Sequence, residues 1–339
     1  MIWLVVPCAR EGARGAGQWK DLQGIRIVLD RLGSQWSEFR FDERNMEALI
    51  ARIGQAHDTV IWYYSFWPEQ MELLKDRCPQ VRLVLRTVNA EALQHWTRAE
   101  KDWRRWRGLP RDLYGFLRLL HRDRRCCRAA DVLAGISPWD DDHYWRRLAG
   151  REKVTTVPYA SPWPVLLPSV KPMAWDARAQ TIACLPGMRD PIGQGHVAGF
   201  AALARNPALA GWRFVASDGF MDASRDGWPA NVERLGRIEE PYAVLCTVKA
   251  VALLSPLGFG CKTTVADAAA AGCQVLIHPR QHARLSREEQ SGSIPLDPGS
   301  AAPVARAVER LSHGPAPGAE VAQRAQLERS LEAWKGVLR

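Results

Sequence analysis

Short apolar runs alternate with helix-length periodic segments along the whole chain, and this alternation constrains the fold more than any other feature. The runs IWLVVP, TVIWYY, VRLVLRTV and DVLAGIS occupy the first half, and TIACLPG, WRFVAS, AVALLSP and QVLIHP the second. Segments such as RNMEALIARIGQA and HVAGFAALARN lie between them. Strand-then-helix order of this kind predicts parallel sheets with helices on both faces. The stretch VPYASPWPVLLPSVKP (157–172) is proline-rich and without period, and it separates the two series. The expected architecture is therefore α/β, with two Rossmann-like, doubly wound domains facing across a cleft, residues 1–172 and 173–312. After the break HGPAPG, residues 313–339 predict an amphipathic helix that packs back on the first domain.

At 339 residues the chain is long enough for two domains of ordinary size. No run approaches the roughly 18 apolar residues of a membrane span. The opening MIWLVVPCA is short and lacks the basic start of a signal peptide, so it is expected to be a first strand. The eight cysteines are scattered without a C-x-x-C pair, and free thiols in a cytoplasmic protein are the expectation. The net charge of +9 is uneven: Arg98 to Arg128 holds eleven Lys/Arg against four Asp/Glu, a local +7. Of fifteen tryptophans, eleven precede residue 172.

Ligands of doubly wound domains bind in loops beyond the carboxyl ends of strands. One such loop is chemically distinctive. AVALLSP reads as a strand, LGFGCK as the loop and TTVADAAAAG as the start of a helix. A helix N-terminus presents unpaired N–H groups and about half a positive charge. Gly258 and Gly260 admit close backbone approach, Lys262 adds a full charge, and Thr263 and Thr264 add hydroxyls. This set suits a phosphate or diphosphate. A well-capped helix with a surface lysine accounts for the same residues without a ligand.

The stretch SPLGFGCKTTVADAAAAGCQVLIHP resembles the donor-binding element of GT-B glycosyltransferases, especially the large retaining family 4. In that family a strand ending in Ser-Pro, a Gly-rich turn and E-A-x-A-x-G-x-P-V recur. Asp267 takes the place of the second acid of the family's E-x7-E pair, whereas Phe259 stands where the first would be. Gly260, Lys262 and Thr264 fit a variant, Gly-x-Lys-x-Lys/Thr. CLPGMRDPIGQGH resembles G-R-x-D-x-x-K-G through Gly187, Asp190 and Gly195 with one residue inserted, and Gln194 replaces the family's lysine. Arg189 is then the candidate phosphate-binding arginine. WRFVASDGF, with Gly219, resembles the next strand and loop, and NVERLGRIE, with Arg237, the segment that reads the base. LRTVNAEALQHW resembles R-x-H-N-x-E, keeping Asn89 and Glu91 but with Val88 for the histidine.

The resemblance implies a GT-B glycosyltransferase that moves a sugar from a nucleotide-diphosphate donor to a saccharide or lipid-linked acceptor, retaining and metal-independent, with no cofactor. Arg189 and Lys262 would be the catalytic clamp on the leaving diphosphate, whose charge preorganised donors stabilise. Gly15, Gly17, Gly187, Gly219, Arg237, Gly260, Thr263, Thr264 and Asp267 would complete the donor site. Asn89, Glu91, Trp103 and Trp106 would face the acceptor. An inverting enzyme would instead need a first-domain base, for which Glu91 and Glu11 are candidates.

Other features admit two readings. Asp140, Asp141 and Asp142 follow Ser-Pro-Trp and suit the first turn of a helix, although D-x-D binds metal elsewhere. CAREGARGAGQW, with Gly12, Gly15 and Gly17, is a phosphate loop or a surface loop. His95, His196 and His278 are expected to be structural. The basic segment at helical spacing suits an anionic membrane surface, an anionic acceptor including nucleic acid, or a solvated face. Rival functions are a DNA-directed nucleobase glycosyltransferase, a nucleic-acid-binding protein, and a non-catalytic relative that lost the first donor acid.

Overall fold

Strands that are apolar on both faces need cover on both, and each sheet here has it. The first sheet comprises β1 (Ile2–Pro7), β2 (Trp36–Phe41), β3 (Thr59–Tyr63), β4 (Arg82–Thr87), β5 (Val132–Gly135) and β6 (Val154–Thr156). The second comprises β7 (Ala179–Cys184), β8 (Arg213–Ala216), β9 (Val232–Arg234), β10 (Val248–Leu253), β11 (Gln274–Ile277) and β12 (Ser293–Pro295). The strand orders are β2-β1-β3-β4-β5-β6 and β12-β11-β10-β7-β8-β9. Neighbouring strands pair in parallel throughout. This is the expected pair of doubly wound sheets. The computed structural model describes residues 1–8, 16–42, 44–53, 58–102, 108–185, 191–217 and 228–339, with only the backbone at 98–102 and 301.

Alternation along one strand divides the core. Val60 and Trp62 of β3 pack into one face with Leu83 and Leu85, while Ile61 and Tyr63 pack into the other with Leu4 and Val84. In β10 Ala250 and Ala252 face one cluster, Val251 and Leu253 the other. Full burial of each such aliphatic side chain contributes roughly 1.5–3 kcal/mol. β2, β6, β9 and β12 are the strands without a continuous apolar run. All four lie at sheet edges, where only one side of the ladder is paired: WSEFRF is half-exposed over its first three residues, and VTT, VER and SIP span three residues each.

The topology fixes where a ligand can lie. Strand order reverses between β1 and β3 in the first sheet and between β7 and β10 in the second. Such switch points open a crevice at the carboxyl ends of the strands. The helices used below are α1 (Gly17–Arg31), α2 (Glu91–Asp102), α3 (Leu109–Ala129), α4 (Pro191–Ala204), α5 (Thr263–Ala270) and α6 (Ala319–Leu338).

The two sheets are tied together by chain that crosses between them. Trp334 and Val337 near the end of α6 are buried in the cluster of Leu4, Leu22 and Ile25. Earlier in α6, Gln326 donates to the Ala266 carbonyl (3.0 Å) and Gln323 to that of Ala270 (2.7 Å), both on α5. Trp163 from the proline-rich crossing is fully buried in the second sheet's core. It packs against Trp19 of α1 with ring centroids 5.4 Å apart.

Candidate functional site

The Gly-Lys-Thr-Thr stretch occupies the switch point of the second sheet. β10 ends at Leu253, the turn 254–262 follows, and α5 begins at Thr263. Gly258 (φ +114°) and Gly260 (φ +79°) hold backbone conformations that side chains rarely adopt. Lys262 curls back across this turn, its Nζ donating to the Phe259 carbonyl at 2.8 Å. α4 closes the turn from behind. The Ser255 N–H donates to His196 Nδ1 at 3.1 Å. A Cβ on Gly195 would fall 2.4 Å from Ser255 Oγ. Desolvation, with the Lys262 charge second, pushes the His196 imidazole down to about 4, so it is neutral here. His196 is thus a structural acceptor, in line with the sequence.

Two helix N-termini meet at this point. A Cβ on Gly17 would lie 3.5 Å from Thr263 Oγ1, so α1 enters beside the first residue of α5. Neither helix has a side-chain cap, and neither carries an acid in its first turn. Their leading N–H groups and dipoles therefore point at one place, flanked by Lys262 and the Thr263 and Thr264 side chains, which are half-buried. This arrangement is suited to a polyanion.

The first domain reaches the same turn through Asn89. A Cβ on Gly260 would sit 2.1 Å from Asn89 Oδ1 and 3.1 Å from the Val88 carbonyl, so only glycine allows this approach. Asn89 Nδ2 donates to the Tyr64 hydroxyl (3.2 Å), which donates to Glu91 Oε1 (2.7 Å). Arg122 of α3 holds Glu91 Oε2 at 3.4 Å and stacks over Phe66. Arg86, the arginine of the same motif, is buried. It forks onto Asp21 (2.6 and 3.1 Å) and donates to the carbonyls of Ala134, Gly135 and Val157. It ties the carboxyl edge of three strands to α1.

Phe259 is 7% exposed and stands beneath the Arg284 guanidinium, 4.1 Å from its ring centroid. The guanidinium also lies 5.0 Å from the Trp139 ring and donates to the Gly258 carbonyl at 2.5 Å. Where the resemblance has an acid, the chain has an aromatic ring clamped by a cation. Nothing in the sequence pattern singled out Arg284.

One expectation needs correction. Asp267 does not face the mouth of the site. It is 1% exposed, and its carboxylate accepts from Lys20 Nζ (2.5 Å), Tyr159 Oη (2.7 Å) and Ser161 Oγ (2.7 Å). It lies four residues, about 6 Å, along α5 from Thr263, while Lys20 lies three residues along α1 from Gly17. The two helices run side by side from their N-termini, and the acid is enclosed between them. The aspartate run does lie in first helical turns, as expected, but its members differ in exposure. Asp142 is exposed and paired with Arg146 one turn on, as helix-terminal acids are. Asp140 and Asp141, by contrast, are buried at 2% and 0%.

Ser137 caps this short helical turn by accepting from the Asp140 N–H. Burial pushes the Asp140 carboxyl up to about 6, against the pull of Lys262, the Gly260 amide and Arg284. Its Oδ2 has no hydrogen-bond partner among the described residues. Asp141 is pushed up to about 7 by burial, against the Thr156 hydroxyl that donates to it at 2.6 Å. Among the described residues no cluster of three or more metal-type side chains occurs.

The structure thus brings Gly17, Asn89, Gly260, Lys262 and Thr263 to one junction, with Thr264 next to it and Glu91 two hydrogen bonds from Asn89 through Tyr64. Arg237 is exposed on the segment beyond β9. Gly15, Gly187, Arg189, Gly219, Trp103 and Trp106 lie outside the described residues, as do Glu11, Gly12 and Asp190.

No protein-family profile matches this chain, and no curated protein matches its sequence. Solved structures do match it. Sucrose-phosphate synthase from Thermosynechococcus elongatus superposes with a TM-score of 0.59 at 14% identity, covering 100% of this chain and 94% of that one. HepE from Anabaena in complex with UDP gives 0.62 at 12% identity, with 99% and 98% covered. An α,α-trehalose 6-phosphate synthase from Burkholderia multivorans gives 0.59 at 12%, with 99% and 94% covered. The chain has the two-domain GT-B fold, as the sequence resemblance implied.

Proposed function

We propose that this protein is a glycosyltransferase using a nucleoside-diphosphate sugar, with the diphosphate seated where α1 and α5 begin. The observation that carries this is the closeness of Gly17 to Thr263, whose hydroxyl would lie 3.5 Å from a Cβ on the glycine, which aims two helix N-termini at one point beside Lys262. Departure of the sugar leaves a diphosphate with growing negative charge. Fixed N–H dipoles and an ammonium stabilise that charge without reorganising, and loss of one such donor typically costs on the order of 100-fold in rate. Lys262 and the helix ends can together do the electrostatic work that a divalent metal does elsewhere, which supports a metal-independent reaction.

The acceptor, a saccharide or lipid-linked saccharide, binds on the first-domain side of the junction, near Asn89 and Glu91. Both Glu91 oxygens are engaged, by Tyr64 and Arg122. Each oxygen keeps a second lone pair, so retention rests on the sequence resemblance alone. HepE has been solved with UDP and with UDP-glucose, which makes the uridine nucleotides the first donors to try.

The test is thermal stabilisation by UDP, GDP and TDP, followed by turnover of the matching nucleotide sugars with and without EDTA. A ligand at about 100 times its Kd adds about 2.7 kcal/mol to stability. Stabilisation by a diphosphate, with EDTA-insensitive sugar release, is expected. No stabilisation by any of the three would refute the donor assignment, and turnover lost to EDTA and restored by manganese would refute metal independence. The Phe259–Arg284 pair in the acid's place favours one second reading, nucleotide binding without transfer. Diphosphate binding with no turnover of any nucleotide sugar selects it.

A further inference from the structure

The α2–α3 hairpin presents a face that the donor junction does not use. Along α3 the exposed residues are Pro110, Arg111, Leu113, Tyr114, Leu117, Arg118, His121, Arg124 and Arg128. At 100° per residue they fall on an arc of about 160°, a single outward stripe. Tyr114 is 67% exposed, Leu117 53% and Leu113 43%, and Trp96 of α2, 46% exposed, packs against Phe116 beside them. Surface leucines scattered singly need no explanation. Here an aromatic–leucine patch lies on one stripe with arginines.

The stripe itself carries no acid. Asp112 and Asp123, the two acids of α3, are buried at 4% and 0% on the opposite face. Asp123 accepts from Ser65, Tyr144 and Arg122. On the neighbouring helix Glu69 and Glu72 are held by Arg125, and Arg128 lies in the field of Glu72, so these do not count toward the patch. That leaves Arg111, Arg118 and Arg124 turned outward around Leu113, Tyr114 and Leu117.

We propose that this stripe docks the protein on an anionic lipid surface. Tyr114, Leu117 and Trp96 enter the headgroup layer, and Arg111, Arg118 and Arg124 pair with lipid phosphates. Interfacial helices combine these two side-chain classes, since tyrosine and tryptophan are apolar bodies with a polar tip and arginine keeps its charge in the headgroups. Each arginine near such a surface strengthens partitioning by roughly fivefold, and the attraction falls off within a Debye length. No helix among the described residues is long and apolar enough to cross a membrane, so the contact is peripheral. The inference stands on this surface alone, whatever the cleft transfers.

The test is co-sedimentation of the full chain with vesicles of phosphatidylcholine containing phosphatidylglycerol, beside vesicles of phosphatidylcholine alone, at low and raised salt. The wild type is expected to sediment with the anionic vesicles at low salt and to be released by salt. Arg118→Glu with Arg124→Glu should weaken partitioning by roughly 25-fold or more, and Tyr114→Ser with Leu117→Ser should weaken it at equal charge. All four positions are exposed, so unchanged melting curves will show that the fold is kept. Arg205→Glu with Arg306→Glu, exposed on the second domain, should change binding little. Failure of the wild type to sediment overturns the proposal. So do equal binding to neutral vesicles, equal losses in the second-domain control, and displacement by an oligonucleotide that binds as tightly as the vesicles.

Discussion

Removing the Asp267 carboxylate should loosen the joint between the domains and leave the mouth of the cleft intact. The Lys20–Asp267 pair is closed at 2.5 Å, with side-chain exposures of 4% and 2%, so solvent screening does not discount it. Stranding one partner of a buried ion pair costs about 3–5 kcal/mol. Asp267→Asn keeps an oxygen for the Tyr159 and Ser161 hydroxyls but leaves the Lys20 ammonium uncompensated, so it should fall in that range. Lys20→Met strands the carboxylate instead and should cost a similar amount. Combining Lys20→Met with Asp267→Asn leaves no stranded charge, so the double variant should cost at least 2 kcal/mol less than the sum of the single changes. Urea unfolding of the four proteins measures this cycle. At about 2–4 °C per kcal/mol, each single variant should melt roughly 6–20 °C below wild type. Additive single effects would refute the argument. So would an Asp267→Asn variant of unchanged stability that had lost affinity for UDP, the signature of a donor-binding acid.

Gly260→Ala places a Cβ 2.1 Å from Asn89 Oδ1 at a φ of +79°, so it should destabilise by about 1–3 kcal/mol or more. Adding Asn89→Ala should recover the steric part in a melting experiment. The Asp141 carboxyl, raised by burial from 3.8 to about 7, holds its proton more tightly when folded. Its contribution to stability is therefore present below about pH 4 and lost as pH rises toward 7. Asp141→Asn removes that loss, so its stability relative to wild type should rise across this window by up to about 4 kcal/mol, read from unfolding at several pH values. Arg284→Leu should leave the Gly258 carbonyl with Gln281 as donor (3.1 Å) and uncover Phe259. A change in the rate ratio between nucleotide sugars is expected, while melting shifts by no more than about 3 kcal/mol.

Much of the fold was legible because a doubly wound sheet writes itself into the chain as repeated apolar runs. β1, β3, β4, β7 and β10 are central strands, and burial on both faces leaves little freedom in their composition. β2 was not legible for the opposite reason: as an edge strand it keeps Trp36, Ser37 and Glu38 half-exposed, and its pattern resembles a loop. Within the site, the turn at Gly258 and Gly260 could be read because backbone demands restrict residue type there. Asp267 was misread because a motif fixes order along the chain, not which side of a helix meets a neighbour. Only the approach of α1 at Gly17 decides that its carboxylate meets Lys20. Asp140 was hidden likewise, since a first-turn acid is usually solvated and burial comes here from the opposing domain's turn. Arg284 had no signal at all, because it reaches Phe259 from a segment 25 residues further along the chain.

Calorimetric titration of UDP into wild type and Lys262→Ala tests the central assignment most directly. Lys262 is half-buried on the turn and donates to the Phe259 carbonyl, so the variant should melt within about 1 kcal/mol of wild type. A charged hydrogen bond to a phosphate contributes about 1.5–3 kcal/mol. The account predicts that UDP binds wild type and that Lys262→Ala weakens it by roughly 10- to 100-fold with the fold intact. Equal UDP affinity in the two proteins would contradict it.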